Sequence, residues 1–164
     1  MRIERIEPGP GQESVWDYPR PPAVVPTDAH VVVGLGGVVV ADTRRAVRVL
    51  ETSQPPAFYL PPDDVDTSLL VPSATRTFCE WKGVASYATV RAGGLEAVDG
   101  AWTYPEPVAR FSAIAGHWAF YAQKMSACFV DGEQVVANEG AFYGGWITSA
   151  VVGPFKGAPG TAHW

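Results

Sequence analysis

The run Phe78-Cys79-Glu80-Trp81-Lys82-Gly83 places a thiol, a carboxylate and an ammonium next to one another. Read as a strand, it puts Phe78, Glu80 and Lys82 on one face and Cys79 and Trp81 on the other, because strand side chains alternate. Three uses fit these groups. Lys82, with Glu80 beside it, can anchor a charged small ligand at a pocket mouth. Cys79 can act as a nucleophile if Lys82 or His117 stabilises its thiolate. The plain use is structural: Cys79 and Trp81 in the core, with Glu80 and Lys82 a solvated pair worth about 0–1 kcal/mol.

His117 lies in Gly116-His117-Trp118-Ala119-Phe120-Tyr121. On a strand, His117 and Tyr121 share a face and supply polar handles inside an aromatic pocket. His117 also completes an acid–base pair with Glu80. The catalytic candidates are therefore Cys79, Glu80 and His117. Aromatic residues recur at Trp81, Tyr87, Trp102, Tyr104, Trp118, Phe120, Tyr121 and Trp146. Six tryptophans exceed what a core of this size needs, which suggests a cavity or an interface using amphipathic rings. The expected ligand-binding residues are Trp81, Lys82, Tyr87, Trp102, His117 and Tyr121, joined from the tail by Lys156 in a second aromatic-Lys-Gly triplet.

Other chemistries lack their signatures. Cys79 and Cys128 lie far apart and the three histidines are scattered, so no structural zinc set is spelled out. Gly34-Leu35-Gly36-Gly37 has no Lys-Ser/Thr ending and is not a phosphate loop. Asp63, Asp64 and Asp66 lack the remaining positions of a calcium loop. No GxSxG occurs. Neither a metal nor another cofactor is expected.

The chain has 164 residues, 47% hydrophobic and 18% charged, with a net charge of −5. These values suit one globular domain. An acidic surface without a basic patch argues against nucleic acid and anionic membranes as partners. The N-terminus has no apolar signal region, and Val31–Ala41 is too short to span a bilayer. A cytoplasmic location with free thiols is expected.

These groups need elements to hold them. Residues 1–26 read as an extended Pro/Gly-rich strap anchored by Trp16 and Tyr18. Residues 27–139 read as a β domain, and residues 140–164 as a second Gly/Pro-rich strap of the same domain. Valine runs on either side of Gly34–Gly37 predict a hairpin. Thr43–Glu51 is expected to be a short helix, with Ala46, Val47 and Leu50 on one face. Strands are expected at 57–60, 75–82 and 86–92. A hairpin is expected across Asp99-Gly100, joining 95–98 to 101–104, with further strands at 117–121 and 127–130. The result is a mainly β, antiparallel fold.

Several motifs, in order, resemble domain-of-unknown-function family 427. They are Trp16-Asp17-Tyr18-Pro19-Arg20-Pro21-Pro22, Ala41-Asp42-Thr43-Arg44-Arg45-Ala46, Phe58-Tyr59-Leu60-Pro61-Pro62-Asp63-Asp64-Val65 and Cys79-Glu80-Trp81-Lys82-Gly83. Ala101-Trp102-Thr103-Tyr104-Pro105, Gly144-Gly145-Trp146 and Gly153-Pro154-Phe155-Lys156-Gly157 continue the likeness. The resemblance implies antiparallel sheets in a β-tent, Mss4-like arrangement. Folds of that type often carry a CxxC zinc pair, which this sequence lacks. The resemblance implies no activity. The expected function is small-molecule binding in an aromatic pocket. An enzyme using Cys79 or Glu80/His117, and a homodimeric or partner-binding protein, are the alternatives.

Overall fold

Alternation of side chains, rather than helical spacing, shapes this chain. The computed structural model describes residues 3–140 and 143–164. Among them are fifteen strands and five short 3-10 turns, and no α-helix. Strands β1 (Glu13–Ser14) and β2 (Ala23–Pro26) lie in the N-terminal strap. Next come β3 (Val31–Leu35), β4 (Val38–Thr43), β5 (Val47–Leu50) and β6 (Ala57–Tyr59). Three long strands follow: β7 (Leu70–Cys79), β8 (Gly83–Ala92) and β9 (Leu95–Thr103). The remainder are β10 (Trp118–Phe120), β11 (Ala127–Val130), β12 (Glu133–Gln134), β13 (Val136–Ala137), β14 (Trp146–Ile147) and β15 (Val151–Val152).

Eleven of the strands form three antiparallel sheets, in the orders β10-β9-β8-β7, β12-β11-β3-β4 and β2-β5-β6, and β13 and β14 form a separate antiparallel pair. Leu60 and Trp118 exchange two backbone hydrogen bonds of 2.8 Å, which join the β6 side of the third sheet to β10. The sheet containing β8, β9 and β10 is covered on both faces. Val90, Ala97, Ala101 and Phe120 face a core shared with β3 and β4. Tyr87, Trp102, Ala119 and Tyr121 face a second cluster, closed by β5 and β6. Cross-strand pairing of Tyr87 with Trp102, and of Trp102 with Ala119, keeps that second set together. In the first core, Trp146 is 1% exposed, stacks on Phe58 at 5.2 Å and donates from Nε1 to the Phe120 carbonyl.

Three local expectations are corrected. Residues 43–51 are not helical: Val47–Leu50 is the central strand of the third sheet. That strand is buried on both faces, with Val47 and Val49 toward one cluster and Leu50 toward another. A doubly covered strand carries apolar residues at nearly consecutive positions, which imitates helical spacing. Thr43 does not cap a helix. Its hydroxyl accepts from Arg45 N at 2.9 Å and turns the chain between strands. The hairpin at Asp99-Gly100 is likewise absent. β9 runs through it, with Asp99 at φ 51° and a register shift opposite, between Ala88 and Val90. The turn-favouring pair is absorbed as a bulge. Third, the strand expected over 75–82 ends at Cys79, so Glu80, Trp81 and Lys82 form the turn before Gly83.

The straps meet each other on one side of the domain. β1 pairs in parallel with β15, and Trp16 Nε1 donates to the Pro154 carbonyl at 2.8 Å. Arg20 reaches Glu51 at 3.3 Å and the Trp164 carbonyl at 2.8 Å.

Candidate functional site

The face carrying Tyr87, Trp102 and Tyr121 does not pack solidly. It lines a cavity of about 280 Å³ between the β7-β8-β9 sheet, the β5-β6 pair and the C-terminal strap. Each wall follows from local structure. Trp102 and Tyr104 are two apart at the end of β9 and therefore point the same way. Thr77 and Cys79 do the same on β7. Glu80, Trp81 and Lys82 arrive from the turn between β7 and β8. That turn is fixed by a hydrogen bond from Val108 N to the Lys82 carbonyl at 2.9 Å. Val49 and Tyr59 close the opposite wall, and Gly144, Gly145 and Lys156 form the tail side.

Tail and sheet touch closely. A Cβ on Gly144 would lie 2.2 Å from Cη2 of Trp102, so only glycine lets the backbone rest on the indole.

Tyrosine dominates the lining. Tyr59, Tyr87, Tyr104, Tyr121 and Tyr143 all line the cavity, leaving Tyr18 as the sixth tyrosine of the chain. Of the seven phenylalanines, Phe78 is the one at this cavity among the described residues. Phenylalanine would bury as well, so the hydroxyl is what the site uses. Trp102 Nε1 donates to the Tyr59 hydroxyl at 3.2 Å. Thr77 and Tyr87 share a hydrogen bond of 3.0 Å. The Tyr104 hydroxyl makes no hydrogen bond among the described residues, although Tyr104 is only 6% exposed. Burial pushes the phenol pKa values of Tyr59, Tyr104 and Tyr121 upward. All three stay protonated, and each keeps a hydrogen to donate.

Two of the chain's three lysines line the same cavity. Lys82 Nζ sits 5.6 Å from the Tyr104 ring centroid, and Lys156 Nζ sits 5.8 Å from that of Tyr143. Burial disfavours the Lys82 ammonium, and the Glu51 carboxylate opposes that effect. Neither lysine forms an ion pair among the described residues. Cys79 lines the same cavity. No arginine among the described residues lines it.

Cys79, Glu80, Trp81, Lys82, Tyr87, Trp102, Tyr121 and Lys156 all reach this one cavity, as lining residues. His117 does not. β10 starts one residue later, and His117 Nδ1 hydrogen-bonds the Ala115 carbonyl at 3.3 Å, away from the lining. Glu80 and His117 are therefore not gathered into one site. Glu80 also forms no ion pair with Lys82, whose carboxylate neighbour is Glu51. Trp118, Phe120 and Trp146 belong to the other core. Tyr59, Tyr104 and Tyr143 were not among the expected site residues. Their signal was the choice of tyrosine over phenylalanine. No group of three or more His, Cys, Asp or Glu able to hold a metal occurs among the described residues.

A family model described as Domain of unknown function (DUF427) matches residues 23–131. The chain belongs to this family. The matched DUF427 segment runs from β2 through β11 and supplies the β5-β6, β7-β8 and β9 walls of the cavity. The tail wall, with Lys156 and Gly144, lies beyond the match. No curated protein matches the chain.

Proposed function

We propose that this DUF427 chain is a small-molecule-binding domain, with the tyrosine-lined cavity as its site and Lys82 as the charged anchor. One observation carries the reading: five of six tyrosines surround one cavity, while the phenylalanines serve mainly elsewhere. The volume lies just below the roughly 300–1,000 Å³ of drug-sized ligand pockets, so it suits a smaller ligand. A thermal-shift screen against common metabolites tests the proposal. A ligand at about 100 times its dissociation constant adds about 2.7 kcal/mol of stability. A screen with no stabilising compound would count against it.

An enzymatic reading has one supporting feature, the presence of Cys79 and Lys82 in the lining of one cavity. A Cys79→Ala variant that keeps any activity found would end it. The acid–base version using Glu80 and His117 has no such support, because His117 lies outside the cavity. A homodimer draws support from Phe78 and Val84, cross-strand partners that are 74% and 52% exposed. A monomeric mass at micromolar concentration would remove that support. We take the site of action to be the cytoplasm, in keeping with two free cysteines. No helix among the described residues is long and apolar enough to cross a membrane.

A further inference from the structure

Beside the Glu51 and Glu80 carboxylates, the cavity holds three donors without a described acceptor. Lys82 has no ion-pair partner among the described residues. The Tyr104 hydroxyl makes no hydrogen bond among the described residues, and Tyr104 lines the cavity while only 6% exposed. The Tyr59 hydroxyl accepts from Trp102 and donates to no described residue, although Tyr59 is 1% exposed. Three donors without a described acceptor, one of them charged, around one space suit an anion that completes them.

A cationic ligand is the natural rival, because aromatic cages bind ammonium groups. Here Lys82 and Lys156 already lie over the Tyr104 and Tyr143 rings, and their charges repel a second cation. Phosphate is a poorer match than carboxylate. Its usual forked partner, arginine, is missing from the lining, and the Glu51 carboxylate near Lys82 opposes a dianion. Beyond the donors, Trp102 and Tyr121, with ring centroids 4.5 Å apart, offer flat apolar surface.

Building on the small-molecule reading above, we propose that the ligand is a small aromatic or similarly flat organic acid. Its carboxylate is received by the Lys82 ammonium and the Tyr104 hydroxyl, and its body lies against Trp102 and Tyr121.

Calorimetric titration with four probes tests this: benzoate, benzamide, benzylammonium and inorganic phosphate. Benzoate binds, and benzamide binds at least about tenfold more weakly, equivalent to about 1.4 kcal/mol. Tyr104→Phe, which deletes one oxygen, weakens benzoate by about tenfold, and Lys82→Met removes its advantage over benzamide. If Lys82→Met fails to fold, the benzoate–benzamide comparison and Tyr104→Phe still decide. Benzamide, benzylammonium or phosphate binding as tightly as benzoate overturns the organic-acid assignment and leaves the cavity a binding site. Benzoate binding unchanged in Lys82→Met does the same. No binding by any probe also overturns the assignment; whether the cavity binds anything then rests on the metabolite screen.

Discussion

A phenol and a phenyl ring differ by one oxygen, and that oxygen sorts the aromatics of this chain. Phe58 and Phe120 pack in the solid core, whereas five tyrosines ring the cavity. The two thiols are sorted in the same way. Cys128 is 1% exposed, and burial pushes its pKa up to about 12. Cys79 lines the cavity and is partly open. Native protein treated with iodoacetamide at neutral pH will therefore alkylate at Cys79 and spare Cys128, as peptide mass mapping would report. Equal labelling of both would contradict this sorting. Much of the cavity lining was legible in the sequence, because recurring aromatics singled out Trp81, Tyr87, Trp102 and Tyr121. Lys82 came into reach through the turn rather than through the strand expected there. His117 misled because the strand begins at Trp118, which no local signal marks. Tyr59 was passed over because its short strand gave no hint of what it faces.

Elements are where local propensity and tertiary context disagreed most. Val47–Leu50 is spaced like a helix face, yet pairing with β2 and β6 and burial on both sides make it a strand. Its Val49 forms part of the cavity wall, so the misread element also shapes the cavity. The bulge at Asp99 is a second case. A turn pair was absorbed within β9, and this leaves Trp102 on the same long strand, with Tyr104 just beyond its end. By contrast, the valine hairpin was legible, because Gly36 and Gly37 hold φ of 60° and 80° between two β-branched runs. The tail is held by steric fit to the sheet. Gly144→Ala forces a methyl group into the Trp102 indole. The expected cost is about 1–3 kcal/mol in denaturant unfolding, with altered tryptophan fluorescence. Unchanged stability would mean that the tail does not rest on Trp102 as described.

At the scale of the whole molecule, the family core and the C-terminal strap line one space, and pH reports on how the chain holds together. Arg48 hydrogen-bonds the Glu13 carboxylate and, with Tyr18, lowers its pKa against the effect of burial. Hydrogen bonds from Arg45 and then Thr43 lower that of Asp64. A depressed carboxylate stabilises the fold above its unfolded pKa of about 4, and that stability is lost as pH falls through the folded value. The buried phenols work the other way. Burial raises Tyr18, Tyr59, Tyr104 and Tyr121, so their contribution is present below about pH 10 and is lost as pH rises above it. Stability should therefore be level between about pH 5 and 10 and fall on both sides, with phenolate absorbance appearing together with unfolding. Phenolates titrating in the still-folded protein would contradict the burial described. The mainly β character and the family were readable from composition and motif order; the enclosure was not, because it depends on a tail folding back across the chain. The central claim is that the enclosed space holds a small molecule. Its most direct test is the rate of Cys79 alkylation with and without the strongest stabilising compound from the metabolite screen. Occupancy of the cavity predicts marked slowing of Cys79 labelling as that compound saturates. An unchanged rate at saturation would show that the compound binds elsewhere and would contradict the account.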